Sequence, residues 1–349
     1  MEPSRTMARH TATVRDIASV AGVSPASVSR ALRDPSSVSD RTRELVRGAL
    51  VKIESGNNGH SDPAPGAGLR TIGCLFADAT SGARFSGFDA TIWSGVARSA
   101  MSHGTEVLLL NVDRRGPGET IGEMIRARGV GAVAVRLDSG VEGMLDEIAE
   151  AGVPTLVVAH KHDHPDAGYI RVASRATSRD AVSHLINLGH TRIAFCRNIV
   201  VDQDHLNRAL GYRNALGDAG IDADPALEIA VPADAEGGIT AIDRLLALPS
   251  PATAVYFADP LPTIGALRRL RELGLEVPRD FSVVGFDDDN ARVLGSPVYT
   301  AVCQDAPTLA AMTGQLLCRM MRSPVGSPPP RVDLESYFEV NRSTGPVPS

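Results

Sequence analysis

The segment from residue 13 to residue 33 constrains this chain more than any other part of its sequence. Apolar residues recur every three or four positions on both sides of a turn at residues 21–24, which predicts two short helices that pack together. Gly22 stands where the backbone must turn, and Ser24 followed by Pro25 is typical of a helix start. Such a pair is a helix-turn-helix, whose second helix enters the major groove of DNA.

Capping residues extend this prediction. Thr13 is suited to begin the first helix, and Ser39 to begin a third. The buried side of that third helix is predicted to consist of Leu45, Val46, Leu50 and Ile53. An ordinary three-helix bundle without a nucleic-acid role is the alternative interpretation.

The charge is unevenly distributed along the 349 residues. The whole chain carries a net charge of −6, but residues 1–54 contain nine basic against six acidic residues. A basic N-terminal segment followed by an acidic remainder is expected if the chain contacts nucleic-acid phosphates only at its N-terminal end. Residues 54–68 are rich in Gly, Pro, Asn and Ser, which predicts a linker.

From residue 71 onward, short apolar runs alternate with helical segments, which favours parallel sheets covered by helices. The number of elements predicts two α/β lobes with a ligand cleft between them, at the carboxyl ends of the strands. We therefore expect a helix-turn-helix domain at 1–54, a linker at 55–70 and an effector-binding and dimerisation domain at 71–341. Lobe one is predicted at about 71–196 and 301–322, and lobe two at about 197–297 and 326–341.

Several blocks in order resemble the LacI/GalR family of bacterial transcription regulators. They lie at residues 14–32, 38–46, 184–194, 208–216, 274–288 and 341–345. The resemblance implies an all-α DNA-binding domain joined to a two-lobed domain of the periplasmic-binding-protein type. It also implies a homodimer that represses by binding a pseudo-palindromic operator in double-stranded DNA, controlled by a small molecule between the lobes.

The same resemblance indicates which residues meet DNA. Pro25, Ala26 and Arg30 would face base edges, with Arg30 able to bind guanine. A solvated surface charge is the alternative for Arg30. The phosphate contacts would come from short hydroxyl side chains, namely Thr13, Ser24, Ser27 and Ser29.

The linker departs from the family pattern. Relatives usually place a short helix there, with a Leu that wedges into the minor groove, and this chain has Ala64 at that position. Gly and Pro residues between 56 and 68 disfavour a helix. We therefore expect a flexible tether rather than a wedge.

Five residues are predicted to bind the effector, a sugar or sugar derivative. Arg208, Asp259 and Asp287 match family positions, whereas Arg136 ends a predicted strand and Phe88 offers a stacking face. Guanidinium and carboxylate groups suit paired hydroxyls. As alternatives, Asp287 caps a helix or pairs with an Arg, Phe88 belongs to the core and Arg136 to the surface.

Two further features at the effector positions differ from the family pattern. Asp259 replaces a usual Asn, and residues 173–174 are Ala-Ser where Asp-Asn is usual. These differences argue against an ordinary neutral hexose. The two arginines favour an acidic ligand, whereas the two aspartates oppose one.

The remaining motifs predict no cofactor, no metal and no catalytic residue. Residues 160, 162 and 164 are histidines whose neighbours indicate a solvated loop rather than a metal site. Cys74, Cys196, Cys303 and Cys318 have no paired spacing and are expected to be reduced and buried in a cytoplasmic protein without a membrane segment. No hydrolase, P-loop or zinc-protease motif is present. The alternatives are a regulator with a degenerate effector site and a solute-binding protein that does not regulate DNA.

Overall fold

The computed structural model describes residues 71–76, 87–136, 141–199, 202–288, 291–294, 297–324 and 326–348, with single positions and short stretches between 18 and 49. The chain divides into two units, at residues 1–68 and 69–349. The predicted linker at 55–70 lies outside the described residues.

In the first unit, the turn has the predicted backbone. Gly22 has φ +66°, a conformation that favours glycine, and the Val23 amide donates to the carbonyl oxygen of Ala18 at 3.2 Å. Ser24 Oγ accepts from the Ser27 amide at 3.1 Å, which is the geometry of a helix N-cap. The predicted turn and second-helix start are therefore confirmed.

The third predicted helix is capped by Ser39, whose Oγ accepts from the Thr42 amide at 3.3 Å. Val46 and Ala49 are buried, one helical turn apart. The prediction that Leu45 is buried is wrong: its side chain is 43% exposed, because the buried stripe runs through residues 46 and 49. Leu50 and Ile53 lie outside the described positions.

The second unit alternates strands and helices. The strands are β1 (Thr71–Phe76), β2 (Glu106–Asn111), β3 (Val130–Val135), β4 (Thr155–Val158), β5 (Ala167–Ala173), β6 (Ile193–Asn198), β7 (Glu228–Val231), β8 (Ala254–Phe257), β9 (Ser282–Asp287), β10 (Thr300–Cys303), β11 (Arg331–Glu335) and β12 (Tyr337–Glu339). The helices are α1 (Gly87–Ser102), α2 (Ile121–Ala127), α3 (Val141–Glu150), α4 (Arg175–Asn187), α5 (Gln203–Asp218), α6 (Ala235–Leu246), α7 (Pro260–Glu272) and α8 (Ala306–Met320). Short 3-10 turns lie at Val112–Arg114, Pro225–Leu227 and Ala291–Leu294.

The strands form two sheets of six. The first has the order β11-β5-β4-β3-β1-β2 and is parallel throughout. The second has the order β12-β10-β9-β8-β6-β7 and is parallel except for the antiparallel pair β10–β12. The central strands are apolar and buried, as expected when helices cover both faces of a sheet. The predicted pair of α/β lobes is confirmed.

The lobe boundaries differ from the prediction. Strands β6 and β10 belong to the second sheet, and β11 belongs to the first. The chain passes between the lobes at Ser174, at residues 304–305 and at Ser336. Alternation along a sequence reveals strands but not the sheet each one joins, so the predicted boundaries at 196 and 301 lay inside the second lobe.

Two of the helices in the second lobe touch backbone to backbone. A Cβ atom added at Gly265 of α7 would lie 1.9 Å from the carbonyl oxygen of Ala235 in α6, and one added at Gly238 equally close to that of Pro262. Only glycine permits this approach. The four cysteines are free and buried, as predicted.

Within the described residues, no helix is long and apolar enough to cross a lipid bilayer.

Candidate functional site

A group of charged side chains lies where strands of the second sheet end. Asp202 follows β6 and caps α5, since its Oδ1 accepts from the amide and from Nδ1 of His205, at 2.8 and 2.7 Å. Burial alone would raise the pKa of Asp202, but the bound imidazole holds it well below the usual range. Asp202 is therefore ionised at neutral pH.

His205 links two carboxylates. Its Nε2 lies 3.1 Å from both oxygens of Asp259, which follows β8 and begins α7. Burial disfavours the imidazolium, but Asp259 and Asp202 more than offset that effect and raise the pKa of His205 to about 9. At neutral pH both ring nitrogens therefore carry protons and donate.

Arg208 lies one turn further along α5 and is 5% exposed. Its Nη1 donates to the carbonyl oxygen of Ala258 at 2.6 Å, and its guanidinium carbon lies 3.6 Å from the ring centroid of Phe286. Its Nε has no hydrogen-bond partner among the described groups. Arg208 is thus fixed by one hydrogen bond and one ring stack, and its buried Nε is left without a partner among the described groups.

Asp204 lies on the same helix and is 6% exposed, and its Oδ1 also lacks a partner among the described groups. Burial raises the pKa of Asp204 to about 6, with the neighbouring Asp202 adding to the shift. Such a carboxyl group changes its charge close to physiological pH.

The first lobe contributes Arg136, which follows β3. Its Nε donates to Asp89 Oδ1 at 2.8 Å, and its guanidinium carbon lies 4.8 Å from the ring centroid of Phe88. Burial disfavours its charge, but Asp89, Asp202 and Asp204 together raise the pKa of Arg136. The last two belong to the second lobe, so the strand ends of the two lobes face each other here.

Four of the five predicted effector residues therefore meet at these strand ends: Phe88, Arg136, Arg208 and Asp259. Asp287 differs, because it is 1% exposed and its Oδ2 pairs with the guanidinium of Arg292. Arg292 also binds Glu339 at 2.9 Å, and its amide donates to Asp287 Oδ1 at 3.3 Å. This arrangement corresponds to the alternative interpretation from the sequence, in which Asp287 pairs with an Arg instead of binding the effector.

Sequence reasoning missed Asp202, Asp204 and His205. Their signal was the closely spaced pattern Asp202-Gln-Asp-His205 just ahead of the predicted Arg208, at the start of a helix that follows a strand. In an α/β lobe that position faces the ligand cleft.

The predicted solvated loop of histidines is wrong for His162. Its side chain is buried, with Nε2 3.1 Å from the Gly168 carbonyl oxygen and Nδ1 accepting from the His164 amide. His164 in turn lies 3.1 Å from Asp146. Burial lowers the pKa of His160, so that ring is neutral at pH 7. Within the described residues no group of His, Cys, Asp and Glu is arranged to hold a metal ion.

Of the predicted DNA contacts, the structure describes Ser24, which is exposed, and Ser27, which is half-buried. Their hydroxyl oxygens lie 2.9 Å apart. The others lie outside the described residues, namely Thr13, Pro25, Ala26, Ser29 and Arg30.

Comparison with known proteins finds a match to a family model in each unit. The family model "Bacterial regulatory proteins, lacI family" matches residues 13–54, and the model "Periplasmic binding protein-like domain" matches residues 182–344. A probable HTH-type transcriptional repressor of Bacillus subtilis, ExuR, is 28% identical over 312 residues, which cover 89% of this chain and 92% of that protein.

Solved structures agree. A complex of the transcriptional regulator CelR with cellobiose is 26% identical with a TM-score of 0.68, covering 95% of this chain and 100% of that one. A LacI family regulator from Enterococcus faecium with bound ribose is 25% identical with a TM-score of 0.66, covering 80% and 100% of the two chains.

A DNA-binding helix-turn-helix joined to a two-lobed ligand-binding fold defines a class of transcriptional regulators. The chain belongs to the LacI family within that class. Its relatives are transcriptional regulators rather than enzymes.

Proposed function

We propose that this chain is a repressor that binds a pseudo-palindromic operator as a homodimer. Its affinity for the operator is controlled by a small molecule bound between its lobes. The observation that carries the proposal is the cluster of charged side chains from both lobes around Arg136 and Arg208. The proposed effector is a sugar or sugar derivative, because related regulators bind cellobiose and ribose.

The cluster has the composition expected of a site for hydroxyl groups. Planar guanidinium and carboxylate groups bond pairs of hydroxyls, and Phe88 and Phe286 each stack with one of the arginines. In this proposal the cleft binds its ligand without converting it, and the protein acts in the cytoplasm, where its thiols stay reduced.

DNA contact is proposed to involve Arg30 and Ala26 at base edges and the nearby hydroxyl side chains at phosphates. The Gly- and Pro-rich segment 55–70 is proposed to act as a tether, without wedging into the minor groove. A strong central kink in operator DNA, measured by a bending assay, would contradict that part.

Selection of bound duplexes from a random library by the full-length chain tests the DNA function. We expect inverted-repeat sites and an affinity that falls steeply with salt, as counterion release demands. Arg30→Ala should change the selected bases, at a cost of about 1–3 kcal/mol for the original site. The matched control Arg279→Ala removes an exposed arginine of the other unit and should leave the selection unchanged.

A second measurement tests the effector function. A sugar that shifts the Tm of the full-length chain should also change the affinity of the chain for the selected duplex. DNA binding that does not depend on salt, or selection of duplexes without a shared sequence, would contradict the proposal that the chain is a sequence-specific DNA-binding regulator.

A further inference from the structure

Asp259 stands at the start of α7 but does not cap that helix. Its backbone has the extended conformation of an N-cap, yet its side chain accepts from no backbone amide in the described first turn of α7. Other helices of the second unit begin with an Asp that accepts from the amide three residues further on, at 2.8, 2.8 and 2.9 Å: Asp202, Asp234 and Asp305. In α7 the third residue is Pro262, which has no N–H to donate. The sequence of α7 therefore deprives the Asp259 carboxylate of its usual donor.

His205 supplies the donor that α7 lacks. Its Nε2 lies 3.1 Å from each oxygen of Asp259, and its Nδ1 lies 2.7 Å from Asp202 Oδ1. The imidazole is buried, and both of its nitrogens are engaged. Asp202, His205 and Asp259 thus form a bridge of side chains from the start of α5 to the start of α7.

The bridge leaves part of the Asp259 carboxylate available. A carboxylate offers about four acceptor positions on its two oxygens, and a single ring N–H cannot fill them. The side chain of Asp259 is 16% exposed, twice the 8% of the imidazole that holds it. Since α7 begins directly after β8, this accepting side of Asp259 lies at the strand ends where the other predicted effector residues meet.

We propose that His205 is a positioning residue of the effector site, whose bridge to Asp202 holds the Asp259 carboxylate in the orientation in which Asp259 meets the effector. His205 itself does not touch the ligand. A side chain that is already ordered loses less conformational freedom on binding, so the bridge raises the affinity for the ligand. This inference rests on the proposed function, because Asp259 is a contact of that same site, but it does not depend on the chemical class of the effector.

Two substitutions of His205 separate the two ends of the bridge. The longer side chain of Gln can place its amide nitrogen near the position of Nε2, whereas the shorter Asn can reach only the position of Nδ1. Calorimetric titration of the full-length chain with ribose, cellobiose and galacturonate measures the effect on binding. We expect His205→Asn to weaken the binding of a probe at least about tenfold, since Asp259 loses its charged donor, and His205→Gln to weaken it less than about threefold.

A matched control and a double variant test whether His205 acts through Asp259. His184→Asn changes a half-buried histidine of the same lobe, whose Nε2 lies 2.9 Å from Thr344 Oγ1, and should leave probe affinity unchanged. In the Asp259→Ala background, His205→Asn should weaken binding by no more than about twofold further, because no carboxylate remains to be held. Equal losses in the Asn and Gln variants, or losses that multiply in the double variant, would overturn the proposal.

A second measurement needs no ligand. In the full-length chain with isotope-labelled histidine, both ring N–H protons of His205 should be visible by nuclear magnetic resonance at neutral pH, because each is buried in a hydrogen bond to a carboxylate. His205→Gln identifies the two signals. Asp259→Ala should remove the Nε2 signal and retain the Nδ1 signal, and persistence of both would overturn the bridge. Both signals in the unaltered chain together with binding of none of the three probes would instead overturn the effector role of the cleft, and with it the positioning role, while leaving the bridge intact.

Discussion

Replacing Asp287 by Asn distinguishes a structural ion pair from an effector contact. Asp287 is 1% exposed, and its partner Arg292 has a side chain only 11% exposed. Removal of one member of a buried pair costs about 3–5 kcal/mol, because the other charge stays buried. Arg292 keeps its bond to Glu339, which is 39% exposed, so the lower end of that range applies, about 3 kcal/mol.

The assay is thermal unfolding of the full-length chain, followed by circular dichroism. In a domain of this size 1 kcal/mol shifts the Tm by about 2–4 °C, so Asp287→Asn should lower it by about 6–12 °C. Asp218→Asn makes the same chemical change in a pair whose side chains are both about half exposed, and should cost less than about 1 kcal/mol.

Equal shifts in the two variants would refute the reasoning. So would an unchanged Tm in Asp287→Asn together with loss of ligand binding, since that pattern belongs to a residue that serves the effector rather than the fold.

Three further predictions concern other parts of the chain. The pKa of His205 is raised to about 9 in the folded chain from an ordinary value of 6.5, so its ion pairs stabilise fully below about pH 6.5 and are lost as the pH rises through 9. Stability should therefore decline by about 3 kcal/mol over that interval, measured by urea unfolding, and His205→Gln should remove the decline. Gly265→Ala should destabilise by about 1–3 kcal/mol by overpacking, whereas Gly217→Ala, an exposed helical site with open space around it, should stabilise by about 0.5–1 kcal/mol in the same assay. Ser24→Ala removes a helix cap and should cost the helix-turn-helix about 1 kcal/mol, seen as faster amide exchange at residue 27; unchanged exchange would show that the cap contributes nothing.

Local signals in the sequence were sufficient for most elements. Gly22 and Ser24 predicted their own backbone and bonding, because a left-handed glycine and a capping hydroxyl act within three residues. Apolar runs likewise predicted β1, β3, β4, β6, β8 and β9, whereas β5 and β10, which also lie inside their sheets, were not predicted. The edge strand β11 was missed because Arg331–Glu335 alternates exposed with half-buried positions and contains three charged residues.

The site was only partly predictable, for a similar reason. Arg208 and Asp259 were predicted from the family resemblance, but the hydrogen bond that connects Asp259 to His205 spans 54 residues. Nothing in the sequence near Arg292 shows that this residue, which pairs with Asp287, will also pair with Glu339, because Glu339 lies on a strand 47 residues further along the chain. Pairing across such distances depends on the sheet order, which alternation does not reveal.

The chain crosses from the first lobe to the second at Ser336, and this crossing determines when the sheets of the two lobes can be completed during synthesis. Ser336 alone separates β11, the edge of the first sheet, from β12, the edge of the second, and its Oγ bonds the Ala173 carbonyl oxygen at 2.8 Å. A ribosome supplies a chain from its N-terminus at about 5–20 residues per second, so both lobes await the same last segment. A nascent chain that stops before residue 331 leaves β5 and β10 as open edges, one in each sheet. A premature stop codon there would expose both lobes to aggregation at once, although the helix-turn-helix segment would already have been made.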